Sequence, residues 1–337
     1  YFFFGRSQRR ERIIGQKSYD RLLKKPMAEY LAQDCSAVPE EYARLIQLFQ
    51  HTNQAFPFEG NRIAVYTEGY TKLQSLLREL QKAKQHIHME YYIFEDDAIG
   101  RLVRDVLIEK ASQGVEVRVI YDDVGCWHVP NRFFEEMRNA GIEVRSFLKV
   151  RFPLFTSRVN YRNHRKIVVV DGRIGFLGGM NLAERYMRGF SWGIWRDTHI
   201  LIEGKAVHGL QTAFLLDWYF VDRTLITASR YFPKIESCGN SLVQVVTSEP
   251  IGPWKEIMQG LTMAINGAKK YFYMQTPYFL PTEQVLAAMQ TAALAGVDIR
   301  LMLPERADNR ITHLGSHSYL RDVLQAGVKV YFYKKGF

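Results

Sequence analysis

One pattern occurs twice in this chain, and the repeat restricts the fold more than any other feature. AKQHIHMEYYIF, from Ala83 to Phe94, matches AKKYFYMQTPYF, from Ala268 to Phe279, at an offset of 185 residues. ASQGVEVRVIYDD at Ala111 matches ALAGVDIRLMLPE at Ala293 with offset 182, and Ala140-Gly141 matches Ala326-Gly327 with offset 186. Three segments in one order at nearly constant spacing mark an internal duplication, so two similar units are expected. The 337 residues, 47% of them hydrophobic, suffice for two cores.

Inside the first unit strands and helices alternate. Arg62–Thr67, His86–Phe94, Val115–Asp122 and Ile142–Phe147 read as strands, with Thr71–Ala83, Gly100–Gln113 and Arg132–Asn139 as helices between them. This order predicts a layered α/β sandwich. Residues 16 to about 58 read as helical up to the breaker Phe56-Pro57. The expected domains are a basic helical segment over 1–60, a first unit over 61–235 and a second over 236–337.

The chemistry concentrates in NHRKIVVVDGRIGFLGGMN, Asn163 to Asn181. Val168–Val170 and Arg173–Leu177 flank Asp171-Gly172, a favoured two-residue hairpin turn. That turn makes paired residue numbers sum to 343 and sets His164 opposite Gly179. By strand alternation His164, Lys166, Val168 and Val170 share one face, and Arg165, Ile167, Val169 and Asp171 the other. Asn181 falls diagonally beside His164. An imidazole, an ammonium and an amide therefore converge next to Gly178 and Gly179, whose bare backbone would admit a phosphate to its N–H groups. Asp171 points away and reads first as a structural turn residue.

The net charge of +10 and pI of about 9.4 call for an anionic partner without separating nucleic acid from an anionic membrane. Cys35, Cys126 and Cys238 are isolated, which supports neither a disulfide framework nor a zinc site and fits a reducing compartment. Residues 1–25 hold eight Lys/Arg against Glu11 and Asp20, a net of +6, after the aromatic Tyr1-Phe2-Phe3-Phe4. Such a flank suits either the cytoplasmic end of a membrane span or a solvated basic helix. The start at Tyr1 suggests a fragment, and any span would lie upstream.

HxK(x)4D followed by GGxN resembles the signature of the phospholipase D superfamily, in which two such motifs from homologous halves build one active site. MEYYIF, WRDTHILIEG, TPYFLP and the basic flank are similar to bacterial cardiolipin synthases, and the likeness runs from about Arg62 to Phe337. It implies two phospholipase D-like α/β/α sandwich domains forming a pseudo-dimer. Where the family usually has Gly-Ser this chain has Gly178-Gly179. The family's second HxK is expected within a few residues of Lys334-Lys335-Gly336-Phe337, so an isolated fragment lacking it is expected to be inactive.

The resemblance implies a catalytic set of His164, Lys166, Asp171, Asn181 and Asp197. His164 would attack phosphorus to give a phosphatidyl-histidine, Lys166 and Asn181 would hold the phosphoryl oxygens, and the second histidine would protonate the departing glycerol; the two histidines could exchange roles. Phosphatidylglycerol would then accept the phosphatidyl group, giving cardiolipin, with no metal or other cofactor. Asp197 would orient the His164 ring, as the family places an acid on the strand after the motif; the alternative is a surface ion pair with Arg196. Glu90 is expected in the site wall, with Gly178 and Gly179 binding substrate.

Leu148–Arg162 has no counterpart in the second unit. Its Phe152 and Phe155 among Arg151 and Arg158 suit contact with an anionic bilayer, or else aromatics packed on the domain. His86, His88, His199 and His208 read as structural, Asp96-Asp97 and Asp122-Asp123 as caps, and His313 with His317 as lacking a third metal ligand. The expected setting is a bacterial cell membrane with the active domains on its cytoplasmic side, phosphatidylglycerol as partner, no nucleic acid, and homo-oligomerisation left open. A phospholipase D-type hydrolase would use the same residues with water as acceptor. A nuclease of the superfamily would account for the charge through phosphate contacts.

Overall fold

The computed structural model describes residues 38–148, 162–189, 193, 195–248, 253–306 and 309–335, together with 24 and 28. Apart from residues 24 and 28, the basic segment before residue 38 lies outside the described residues, as do residues 149–161 of the insertion. With them fall Phe152, Phe155, Arg151 and Arg158.

Two sheets organise the rest. The larger contains β1 (Pro57–Glu68), β2 (His86–Tyr91), β3 (Glu116–Asp122), β4 (Glu143–Phe147), β5 (Ile167–Val170), β6 (Ile174–Gly178), β7 (Arg196–Glu203) and β8 (Ser241–Gln244), in the order β4-β3-β2-β5-β6-β7-β1-β8. The smaller contains β9 (Tyr271–Gln275), β10 (Asp298–Pro304) and β11 (Lys329–Tyr333), in the order β11-β10-β9. The described helices are α1 (Glu40–Asn53), α2 (Gly69–Lys82), α3 (Ala98–Ser112), α4 (Asn131–Asn139), α5 (Arg185–Arg188), α6 (Val207–Asp222), α7 (Glu256–Gly267), α8 (Glu283–Leu294), α9 (Arg310–Ser318) and α10 (Leu320–Gln325).

The repeat is visible in the topology. β2, β3 and β4 pair in parallel through α3 and α4, and β9, β10 and β11 pair in parallel through α8 and the α9–α10 pair. Asp97 begins α3 by accepting the N–H groups of Ile99 and Gly100, and Thr282 begins α8 by accepting that of Val285. Asp97 thus caps as read, while Asp96 instead pairs with Arg101 at 2.6 Å.

β5 is covered on both faces, which is why its sequence IVVV has no polar alternation. Val168 and Val170 join Ile87, Met89, Tyr91 and Leu201 in the core beneath α2, α3 and α4. Ile167, Val169 and Ile202 pack on the other side against Leu210 and Ala213 of α6. The predicted division of the hairpin into two faces therefore holds.

Its register does not. Asp171 and Gly172 have φ of 52° and 66°, and the Arg173 N–H donates to the Val170 carbonyl at 3.0 Å, as the turn pair demands. Yet Val170 pairs with Ile174 and Ile167 with Leu177, so the numbers sum to 344. Arg173 is one residue more than the two-residue turn allows, a bulge invisible in a run that reads smoothly as strand. Two boundaries also move. β1 starts at Pro57 because its first residues pair with β8, and β2 ends at Tyr91, with Phe94 making a single bridge to Leu182.

Candidate active site

The C-terminal ends of β2 and β3 and the N-terminal ends of β5 and β7 meet at one rim, since Glu90 pairs with Ile167 and Gly178 with His199. His164 lies just before β5, with an exposed edge. Lys166 is 1% exposed. Its Nζ donates to the His164 carbonyl at 2.6 Å and to His164 Nδ1 at 2.9 Å. The Tyr92 ring stands 4.6 Å from the His164 ring, centroid to centroid, and 5.3 Å from the Lys166 ammonium. One aromatic face thus supports both groups of the HxK pair.

Burial acts on these charges first. Desolvation, then the neighbouring Lys166 ammonium, lowers His164 to about 4. The open edge of the ring moderates that desolvation. Burial brings Lys166 down to about 7 against the opposing pull of Asp197, Asp122 and Glu90. Asp197 is raised, by burial before all else, with the Thr198 N–H and then Lys166, Arg196 and Lys72 acting the other way. A cation poised this way binds a phosphate strongly, because the anion restores the charge that burial opposes.

Several expected roles change in place. Asp171 does not join the site. Its carboxylate accepts the backbone N–H groups of Lys84, Gln85 and His86 at 2.8 to 2.9 Å, at the far end of β5 from His164, so it fastens the start of β2. Glu90 lies on the α6 face, 1% exposed, and receives the Asn163 amide, which also reaches Asp217 at 3.3 Å. Arg165 joins the same Asp217. Glu90 therefore clamps the residue before His164 and lines no wall.

Asp197 accepts its neighbour's N–H, that of Thr198, at 2.6 Å, while His164 Nδ1 is occupied by Lys166, so the expected hydrogen bond from ring to Asp197 is replaced by a charge interaction through Lys166. Asn181 is 3% exposed; its Oδ1 accepts the Ile93 N–H at 3.1 Å and its Nδ2 donates to the Tyr186 hydroxyl at 2.7 Å. One amide hydrogen remains for a ligand. The glycines are explained by β7. A Cβ on Gly179 would overlap the Asp197 carboxylate and one on Gly178 would overlap His199, and the Gly179 N–H already donates to the Thr198 carbonyl at 2.9 Å. These residues make room for an acid; the Gly179 N–H is not left for a phosphate.

Asp122 accepts the N–H groups of Val124 and Gly125, as a cap should, and also that of Asn163 at 3.2 Å, tying the cap to the motif. His86 and His88 hold Gln211, and His208 contacts the Pro233 carbonyl at 3.1 Å, in structural positions. His313 and His317 have ring centroids 4.1 Å apart, and among the described residues no three His, Cys, Asp or Glu are grouped to hold a metal.

Sequence reasoning missed Tyr92 and Lys72. Tyr92 follows the strand of the tyrosine-rich segment, where only Glu90 had been singled out. Lys72 is fully buried on α2 and donates to the Tyr91 hydroxyl at 2.9 Å; burial lowers it to about 7, with Asp197 opposing. Its signal was present, a lysine standing on the stripe shared by Leu76 and Leu80.

A parallel α/β half repeated in sequence and topology, with an HxK(x)4D and GGxN hairpin in mid-sheet, defines a phospholipase D-like protein. Residues 76–218 and 261–337 match the family described as cardiolipin synthase, PLD-like domain. The chain is 40% identical over 343 residues to the cardiolipin synthase of Geobacillus kaustophilus, covering 100% of this chain and 68% of that protein. It is 37% identical over 349 residues to the major cardiolipin synthase of Bacillus subtilis, covering 100% and 72%. The phosphatidylserine synthase of Haemophilus influenzae shares the fold, with a TM-score of 0.58 at 15% identity over 87% of this chain and 77% of that one. The chain belongs to the cardiolipin synthase family of phospholipase D-like proteins.

Proposed function

We infer that the chain is a phosphatidyltransferase that makes cardiolipin from two phosphatidylglycerol molecules through His164. The observation that carries this reading is the buried Lys166 ammonium in contact with His164, a seat for a phosphodiester within reach of a nucleophile. A bond forms between an imidazole nitrogen and phosphorus as the bond to the glycerol oxygen breaks, and that oxygen takes a proton from an acid. The acid is the second histidine that the family resemblance implies. A hydroxyl of the second phosphatidylglycerol then attacks phosphorus, loses its proton to the same base, and releases His164. Lys166 and the remaining Asn181 hydrogen hold the non-bridging oxygens, and Asp197 keeps Lys166 protonated.

The residue arrangement adds an order of events. An ammonium that donates to Nδ1 leaves the neutral ring protonated on Nε2, where it cannot attack. An arriving phosphate competes for Lys166, frees Nδ1 and permits the ring to change tautomer. Residues 61–235 and 236–337 act as the two units of a pseudo-dimer, at the cytoplasmic face of a bacterial membrane. Residues Arg151, Phe152, Phe155 and Arg158 would rest on that membrane: Phe152→Ser with Phe155→Ser weakens vesicle binding on this reading, and unchanged binding removes it.

Incubating the full-length protein with phosphatidylglycerol and analysing lipids and released alcohol tests the assignment. Cardiolipin with glycerol is expected. Phosphatidic acid in place of cardiolipin would make the protein a hydrolase, and tight DNA binding without lipid turnover would make it a nuclease.

A further inference from the structure

Behind the rim lies a polar layer that the reaction as described does not use. Extending the pairings Glu90–Ile167, Ile167–Leu177 and Gly178–His199 by one residue places Tyr91 of β2, Lys166, Gly178 of β6 and His199 of β7 in one row across the sheet. The row faces α2, and so does Asp197, two residues before His199 on β7. Lys72 of α2 reaches the row from above: it is 0% exposed, and its ammonium donates to the Tyr91 hydroxyl at 2.9 Å. His199 is buried as completely, and neither of its ring nitrogens has a hydrogen-bond partner among the described residues. A Cβ on Gly178 would stand 2.6 Å from His199 Nδ1, so the ring leans over the glycine on the side of Lys166.

Packing alone does not ask for a lysine at position 72. At the offset of 185 that relates the two units, Leu73, Leu76 and Leu80 correspond to Met258, Leu261 and Ile265, and Lys72 corresponds to Ile257. Sealing an ammonium with one hydrogen bond costs stability, and burial brings Lys72 down to about 7. The carboxylate that acts on it is Asp197, which acts on Lys166 as well. The other polar groups around the layer are neutral or engaged. Burial keeps Tyr91 protonated, and burial with the two ammoniums keeps His199 neutral. Tyr66 of β1 is turned to Ser75 at 2.7 Å, the Tyr186 hydroxyl of α5 is held by Asn181, and Arg196 donates to Gln275 of β9 at 3.0 Å. Glu90 and Asp122 act on Lys166 from the α6 face, where Arg165 and Arg162 accompany them. The layer beneath α2 thus holds two ammoniums and one carboxylate.

We propose that Lys72 is a positioning residue of the phosphate site: by sharing Asp197 with Lys166 it leaves the layer one positive charge in surplus, which a singly charged phosphodiester balances. Without Lys72, Asp197 would neutralise Lys166, and the seat would have no net charge with which to attract an anion. Neutral His199 fills the space over Gly178 between the ammoniums without altering the count. The proposal rests on the phosphodiester chemistry inferred above and adds the charge that the substrate must carry.

The test is binding of dimethyl phosphate to the full-length protein at pH 6, where both lysines are charged, followed through the ¹⁵N signals of the His164 ring. Lys72→Met should weaken binding about tenfold. Lys72→Gln, which can still hydrogen-bond Tyr91, should weaken it as much. Adding Asp197→Asn to Lys72→Met restores the surplus charge and should recover most of the lost affinity. With phosphatidylglycerol as substrate, the alkaline limb of kcat/KM should move to higher pH in Lys72→Met, because Lys166 loses a like-charged neighbour and has Asp197 to itself. Wild-type affinity in Lys72→Met overturns the proposal, and wild-type affinity in Lys72→Gln does so by leaving Lys72 only its bond to Tyr91. A double variant that binds no tighter than Lys72→Met, or an alkaline limb that stays in place, overturns it equally. A wild-type protein that binds dimethyl phosphate at His164 and turns over no phosphatidylglycerol would sink the functional reading alone, because binding still decides the part played by Lys72.

Discussion

At the residue scale the HxK pair is governed by its proton inventory. The nucleophile must be neutral, so kcat/KM should fall as pH drops through about 4, where His164 takes its proton. The phosphate seat must be charged, so activity should also fall as pH rises through about 7, where Lys166 loses its proton. A pH–rate profile checks both limbs, and a rate that keeps rising well above neutrality would deny Lys166 its role. His164→Ala should abolish turnover and leave circular dichroism unchanged. The tautomer change has its own measurement: adding inorganic phosphate to ¹⁵N-labelled protein should move the proton of His164 from Nε2 to Nδ1. Lys72 contributes through stability. Its folded value of about 7 lies below the ordinary 10.5, so the unfolded chain holds the extra proton between them and stability rises with pH across that window. The stability gap between wild type and Lys72→Met, followed by urea unfolding, should therefore shift between about pH 7 and pH 10; a gap independent of pH would show Lys72 to be unperturbed. None of these perturbations could be read from residue types, because each is set by burial and by what β7 and α2 bring alongside.

At the element scale the hairpin shows how far pattern carries. Alternation placed Val168 and Val170 on one face and Ile167 and Val169 on the other, and the two cores agree. The turn pair was also legible, since Asp171-Gly172 takes positive φ at both positions. The bulge at Arg173 was not, because nothing in DGRIG distinguishes a turn residue from the first residue of a strand. The same limit hid the purpose of Gly178 and Gly179. Small residues announce a close approach without naming what approaches, and here it is β7 with its Asp197 and His199. Gly179→Ala should accordingly displace Asp197 and lower kcat while the protein stays folded; wild-type kcat would mean that the carboxylate position is immaterial. Asp171 serves the element and not the reaction. Removing it as Asp171→Ala orphans three N–H groups and should cost about 2 kcal/mol in urea unfolding, with kcat per folded molecule retained. A large loss of kcat at unchanged stability would return Asp171 to the catalytic set.

At the scale of the whole molecule the duplication was the most informative feature of the sequence, and the parallel triplets β2-β3-β4 and β9-β10-β11 reproduce it. Repeats conserve strand order, so topology was legible where registers and charge states were not. With a net charge of +10, association with phosphatidylglycerol vesicles should weaken steeply from low to high salt, as cosedimentation would show; binding indifferent to salt would leave the charge without a part in docking. β8 follows α6 in the sequence, yet it pairs with β1 beyond β7, and α7 presses its Gly260 against Phe49 of α1. A borrowed strand of this kind works as a splint. A protease nick between Arg223 and Gly239 should leave both pieces together through gel filtration, and pieces that separate would show that the β1–β8 pairing does not hold them.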